Sequence, residues 1–238
     1  MSLAGSESLA DGRVIRWTFG SAANGNMSTS GPEDGLDDRR QRQQPGQWLW
    51  LRQVHGADVV DCTGASFRTA DIASVVGTSA DGSVTDRQGL VLAVQTADCC
   101  PVLLWSDEGI IGAVHAGWRG LVGGAIEATA ERMRVAGASS IAGRLGPCIC
   151  ERCYEFGEAD LDAAAGRFGH DVIGTTSWGT GALDVRAAVS LACADAGVSL
   201  AVAPVPCTAH DPSYFSHRAR GDLGRQSSTI CLVGSSGG

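Results

Sequence analysis

The sequence predicts an α+β fold, a mixed β-sheet with helices packed outside it. Three observations carry this. Residues 90–94, 101–105 and 110–115 are short apolar runs of strand length, with Ser106-Asp107-Glu108-Gly109 as a turn between the last two. After Gly120 the period changes, and Leu121, Val122, Ala125, Ile126, Thr129 and Met133 share one helical face. Further along, strands and helices mix without the strict alternation of a doubly wound sheet.

The elements follow in order. Residues 1–12 are small and polar and are expected to be poorly ordered. Residues 13–19 read as a first strand. Residues 21–46 are rich in Gly, Ser, Asn, Asp, Arg and Gln, which predicts a mobile loop for most of the stretch, with parts of 20–46 disordered. Within it, residues 33–44 suit a short polar helix ended by Pro45-Gly46. Residues 48–54 read as a strand closed by His55-Gly56, and Val59 and Val60 begin the next. Residues 62–78 are ambiguous, and residues 80–85 carry turn chemistry at Asp81-Gly82. Gly137 stands where a helix C-terminal cap belongs. Residues 141–145 form a strand leading into Gly146-Pro147-Cys148-Ile149, and residues 157–168 a helix. Asp184 is a good N-cap for a helix that turns Val185, Ala188, Val189 and Ala192 inward and ends at Gly197. Residues 198–205 read as a strand, residues 207–224 as a long polar loop and residues 228–233 as a last strand.

Composition limits the function classes. The 238 residues can form one large domain or two small ones, with no composition break marking a linker and no clear repeat. A formal net charge of −8 argues against a nucleic-acid backbone or an anionic membrane as the main partner. All 18 basic residues are arginine, so any phosphate contact from a cationic side chain falls to Arg, which grips with two hydrogen bonds. The nine cysteines are scattered and odd in number, and no secretory segment opens the chain, so a reducing cytoplasm is expected over a disulfide framework. No apolar run is long enough to span a bilayer.

The chemistry concentrates between residues 91 and 120. Cys99 and His115 stand where apolar runs stop, and so does His55 upstream. Singly, each has a plainer reading as a hydrogen-bonded structural histidine or a small buried cysteine. Together, two histidines and a cysteine at strand ends can converge at one sheet edge. They would then suit a metal with three protein ligands and one position left for water or substrate. Gly117-Trp118-Arg119-Gly120 opens a helix, where free N–H groups and Arg119 favour an anion; a tight turn with a packed Trp is the alternative. Arg218, Arg220 and Arg225 could add phosphate contacts or form a solvated basic loop. Cys148-x-Cys150-x2-Cys153 is half of a structural zinc pattern without a second pair at suitable spacing, so ordinary thiols are the preferred reading. Cys62, Cys193 and Cys231 read as core, and His170 and His210 as surface residues.

The stretches QVHGADVV, TADCCPVLL, AVHAGWRGL, GPCICERCYEFG, LDVR and CT…YFSHRARGDLGRQ, in that order, resemble the YfiH family. It is also called the laccase-domain or polyphenol oxidase family, and now purine nucleoside phosphorylase. The similarity runs from about Trp48 to the C-terminus. It implies a single domain over residues 1–238, with mixed sheets and outer helices in α/β/β/α layers. It implies zinc on His55, Cys99 and His115, with Cys100 standing where members carry an apolar residue and not a ligand. The implied activity is cleavage of adenosine, inosine, guanosine and methylthioadenosine by phosphate, with adenosine deamination as a second activity.

On that footing Asp98, Cys99, His115 and Arg119 are the expected catalytic residues. Asp98 is expected to hydrogen-bond a ligand histidine or move a proton. Arg119, Arg52 and Arg218 are the expected phosphate contacts. Purine nucleosides and phosphate are the expected partners of a monomer or homodimer. Copper is the alternative metal, with phenol oxidation as the alternative reaction, and a non-catalytic housekeeping or cell-wall role is a third reading. Three departures bear on this. The family's N-terminal Arg-Gly-Gly-Ser and Asn-hydrophobic-Gly-x-His-Val-Gly-Asp stretches are echoed only by Asn26-Met27-Ser28 and by Arg39 or Arg40. Cys148 stands where a small residue is common. His217 replaces the tyrosine of FSYRR.

Overall fold

The computed structural model describes residues 2–29, 34–201 and 203–234. Its strands are β1 (Leu3–Ser8), β2 (Val14–Phe19), β3 (Gln47–Trp50), β4 (Val59–Cys62), β5 (Gly82–Thr85), β6 (Leu90–Thr96) and β7 (Cys100–Trp105). They continue with β8 (Ile111–Ala116), β9 (Ile141–Leu145), β10 (Ile173–Thr175), β11 (Gly181–Leu183), β12 (Val198–Ala201) and β13 (Gln226–Val233). The helices are α1 (Leu36–Gln43), α2 (Ile72–Val75), α3 (Trp118–Val122), α4 (Ala125–Val135), α5 (Glu158–Phe168), α6 (Val185–Asp195) and α7 (His217–Arg220).

Two mixed sheets face each other. One has the order β1-β2-β13-β6-β3 and the other β12-β9-β7-β8-β5-β4, with β10-β11 as a separate hairpin. Between them lies an apolar layer that includes Leu49, Leu92, Ile230 and Leu232 from the first sheet and Leu103, Ile111 and Ala113 from the second. The second sheet is apolar on its other face too. There Val102, Leu104 and Val114 meet Ile126 and Met133 of α4 and Val189 and Cys193 of α6. A strand covered on both faces needs no alternation, which is why β7 reads as an unbroken apolar run. On the outer face of the first sheet, Trp48 donates from Nε1 to the carbonyl of Gln44 at 2.9 Å, and Arg40 of α1 lies over the rings of Trp48 and Trp50. The α+β class and the α/β/β/α layering follow from these contacts.

Several local expectations give way to longer-range pairing. Residues 3–8 form β1, laddered on β2 from Leu3↔Phe19 to Ser8↔Val14. Backbone pairing holds this segment, with little apolar pattern for a sequence reading to find. In the stretch 21–46, Ser21 and Met27 are buried and α1 forms over Leu36–Gln43. Glu33, at the start of the expected helix, lies outside the described residues. The Asp81-Gly82 turn is instead the entry to β5, which is buried along its whole length. The single helix expected after Gly120 is two, because Gly124 takes φ +86° between α3 and α4, a left-handed step that glycine makes without strain. The last-but-one strand spans Val198–Ala201, and Val202 lies outside the described residues.

Candidate active site

The chain changes sheets twice at the same end of the sandwich. β3 and β6 run parallel in the first sheet, and the segments that leave them lead to β4 and β7 in the second. His55 sits in the first crossing and Asp98 and Cys99 in the second. Beside them β8 ends, with His115 opposite Pro101 of β7. The approach is registered by Gln53, whose amide donates to the carbonyl of Gln95 at 2.7 Å and accepts from its N–H at 2.8 Å. His55 and Asp98 are the non-glycine residues with positive φ among those described, at 59° and 98°. Each such residue costs on the order of 1–3 kcal/mol and persists where its surroundings over-determine it, and both lie at this site.

Asp81 supplies much of that determination. Its buried carboxylate accepts from the N–H groups of Val54, His55 and Gly56 at 3.1, 3.0 and 2.7 Å. The same group lies 2.7 Å from Nδ1 of His115, whose backbone N–H donates to the Asp81 carbonyl at 2.8 Å. Burial opposes the charge of Asp81, yet His115 and these amides hold its carboxyl below the usual range. A buried unpaired carboxylate would cost several kcal/mol, and this donor set offsets it.

The outcome is a tight cluster. Donor atoms of His55, Cys99 and His115 all lie within 4.8 Å of one another. Cys99 Sγ is 3.8 Å from His55 Nε2, and the two imidazoles meet edge to face with centroids 4.8 Å apart. Burial alone would raise the Cys99 pKa, but His115 and His55 overcome it and bring the thiol down to about 6. Burial likewise works against a charged His115, while the Cys99 thiolate and the Asp81 carboxylate raise it to about 9. Two imidazoles and an easily ionised thiol are a donor set that transition metals take, and a cation would displace the remaining proton. Gly117 completes the cradle, since a Cβ there would lie 2.5 Å from His55 Cδ2; a Cβ on Gly120 would lie 2.8 Å from the Gly56 carbonyl oxygen.

The cluster opens into a cavity of about 1040 Å³. Arg52, Arg119, Arg218 and Arg225 line it, and among the described residues none of the four is ion-paired with a carboxylate. Arg119 lies over the Trp118 ring at 4.3 Å, and Arg218 over the rings of Tyr154 and Phe156 at 4.9 and 5.5 Å. Arg52 donates from Nε to Ser79 Oγ at 2.9 Å. Arg220 points elsewhere and pairs with Asp222 at 3.1 Å. Burial pushes the Tyr154 phenol well up, so it keeps its proton.

Asp98 is placed differently from expectation. Its carboxylate accepts from Thr208 Oγ1 and from the N–H of Arg218, both at 2.6 Å. The partner of the histidine is Asp81, which the turn reading of Ala-Asp-Gly hides. The β-branched Val84 and Thr85 after it are the signal that a strand begins there. The segment expected to be mobile also reaches the cavity through Asn26 and Ser28. Asn26 Oδ1 accepts from the N–H of Arg225 at 3.0 Å and from that of Ser28 at 2.8 Å. Arg39 donates to the Asn26 carbonyl at 3.0 Å, behind this wall. Cys100 is buried and no part of the cluster.

A family model described as "Multi-copper polyphenol oxidoreductase laccase" matches residues 36–233. The chain is 41% identical over 194 residues to "Purine nucleoside phosphorylase ORF3" of Streptomyces griseus, covering 79% of this chain and 75% of that one. It is 38% identical over 192 residues to "Purine nucleoside phosphorylase SCO2081" of Streptomyces coelicolor, covering 79% and 76%. Among solved structures it is similar to the Neisseria meningitidis protein NMB0706, with a TM-score of 0.78, 26% identity, and coverage of 98% of this chain and 99% of the other. The protein therefore belongs to the multi-copper polyphenol oxidoreductase laccase family, the YfiH-type family that its motifs resemble.

Proposed function

We propose that this protein is a zinc-dependent purine nucleoside phosphorylase that cleaves adenosine, inosine, guanosine and methylthioadenosine with phosphate and also deaminates adenosine. One observation carries the reading. A three-donor cluster and four arginines that have no carboxylate partner among the described residues line one cavity. A chain of net charge −8 that gathers four arginines at one spot, with no carboxylate partner for them among the described residues, favours an anionic co-substrate there. The names of the two Streptomyces relatives point to the same chemistry.

His55, Cys99 and His115 would hold the metal, and a bound zinc would supply a Lewis acid together with activation of water for deamination. The remaining roles belong to the chain. Asp81 keeps a proton on His115 Nδ1, so that Nε2 faces the cluster as a donor. Arg119, Arg218 and Arg52 grip the phosphate dianion, and Arg225 adds charge behind them. The phosphate oxygen attacks the ribose anomeric carbon as the bond to the base breaks, the electron pair leaving on the base nitrogen. Trp118 and Tyr154 wall the nucleoside side, with the Tyr154 hydroxyl available as a donor. Asp98 acts as a positioning residue, fixing the start of α7 and with it Arg218. The cytoplasm is the proposed location; no helix among the described residues is long and apolar enough to cross a membrane.

Copper-dependent phenol oxidation is a second reading, favoured by the family description and by a donor set that copper also accepts. Against it, only two of the five histidines belong to the cluster, too few for several coppers. A phosphate-dependent screen of nucleosides, with released base measured by chromatography and metal content on the same sample, tests the proposal. Base release that is independent of phosphate would sink it.

A further inference from the structure

A second set of ligands lies away from the cavity. Cys150 and Cys153 stand at the ends of one tight turn, closed by the Cys153 N–H donating to the Cys150 carbonyl at 3.0 Å. Cys207 and His210 stand at the ends of another, closed in the same way at 3.1 Å. The two turns face each other. The Cys150 N–H donates to Cys207 Sγ at 3.3 Å, and Cys153 Sγ is 3.0 Å from His210 Nε2. All four donor atoms lie within 4.8 Å of one another, and none of the four residues lines the cavity.

We propose that Cys150, Cys153, Cys207 and His210 form a structural zinc site, separate from the cluster of His55, Cys99 and His115. The site goes beyond the phosphorylase reading and does not depend on it. Three thiols and an imidazole make a closed tetrahedral set with no position left for substrate. Around zinc, with bonds of about 2.3 Å to sulfur and about 2.0 Å to nitrogen, neighbouring donors sit roughly 3.5–3.8 Å apart, so the pocket needs little adjustment. The pattern is Cys-x2-Cys followed by Cys-x2-His, with Cys207 standing 57 positions after Cys150. That gap, and the histidine in the fourth place, is why the first pair looks like an orphan in the sequence.

The position gives the site a purpose. Tyr154, directly after Cys153, carries the Arg218 guanidinium on its ring. Thr208, directly after Cys207, donates to Asp98 beside Cys99. A metal here would tie together two distant segments that otherwise meet through the Cys148↔Cys207 backbone bridge and a few hydrogen bonds. It would thereby fix one wall of the cavity.

The test uses the full chain, made with zinc in the medium and purified reduced without chelator. Elemental analysis should find two zinc per chain. A C99A/H115A variant should keep one, and a C150S/C207S variant should keep one and melt at lower temperature. Cobalt(II) titrated into metal-free C99A/H115A should give a strong thiolate-to-metal absorption, and in C150S/C207S only the weaker absorption of a single thiolate. If C99A/H115A holds no zinc and shows no thiolate band with cobalt, the second site does not exist. The second site is equally ruled out if mass spectrometry finds Cys150 or Cys153 joined to Cys207 as a disulfide in the freshly purified protein. Should C150S/C207S fail to fold, the C99A/H115A arm decides alone.

Discussion

Asp81 Oδ1 stands 2.7 Å from His115 Nδ1, and the same carboxylate takes three successive N–H groups from Val54 to Gly56. One side chain thus orients two members of the cluster, one through its ring and one through its backbone. Asp81→Asn keeps the volume but removes the charge and turns an acceptor into a donor. It should cost about 2–4 kcal/mol of stability and lower metal affinity by about 10–100-fold. Thermal denaturation and competition with a chromogenic chelator measure the two. Unchanged metal affinity in a folded Asp81→Asn protein would show that Asp81 does not orient the cluster.

Gly117 contributes by having no side chain. Gly117→Ala would set a methyl group 2.5 Å from His55 Cδ2 at an ordinary extended backbone, with φ −71°. The imidazole must move while the fold need not. Metal affinity should fall by about tenfold or more with circular dichroism unchanged. A Gly117→Ala protein that binds metal normally would mean that His55 is free to shift without consequence.

Much of this site is legible in the sequence, and what is not has a physical pattern. His55, Cys99 and His115 stand where apolar runs stop, and strands that stop together can bring such residues together. Asp81 is hidden because Asp-Gly is locally a turn signal, and only pairing of β5 with β4 and β8 makes it a strand entry. Adjacency to Cys99 suggests Asp98 as the partner of a histidine, whereas the left-handed backbone at Asp98 aims its carboxylate at Thr208 and Arg218. β1 escapes a sequence reading because it is held by a backbone ladder on β2 and not by an apolar pattern. Helix caps are legible, as at Asp184, whose carboxylate accepts from the N–H groups of Arg186 and Ala187.

Arg119 separates the two proposed reactions. It lines the cavity without an ion-pair partner among the described residues, next to the helix start that follows His115. Arg119→Ala should raise the KM for phosphate by about tenfold or more, consistent with loss of a charge-assisted pair. Adenosine deamination, which uses no phosphate, should change far less, and metal content should stay the same. An equal drop in both activities would point to a damaged metal site instead.

The N-terminal segment is a wall of the cavity and not only a tether. Asn26→Ala removes the acceptor for the N–H groups of Ser28 and Arg225 and should cost about 1 kcal/mol. The nucleoside KM should rise while metal content stays constant. If steady-state kinetics of Asn26→Ala match the unaltered protein, this segment does not shape the substrate site.

The most direct test of the proposed function separates phosphate from oxygen. Purified protein loaded with zinc alone is incubated with inosine in phosphate buffer under argon, without copper. Zinc is redox-inert, so any turnover under these conditions cannot be an oxidation. A phosphorylase should yield hypoxanthine and ribose 1-phosphate in equal amounts, at a rate that follows phosphate concentration. Activity that disappears under argon, or that arises only when copper is supplied, would contradict it.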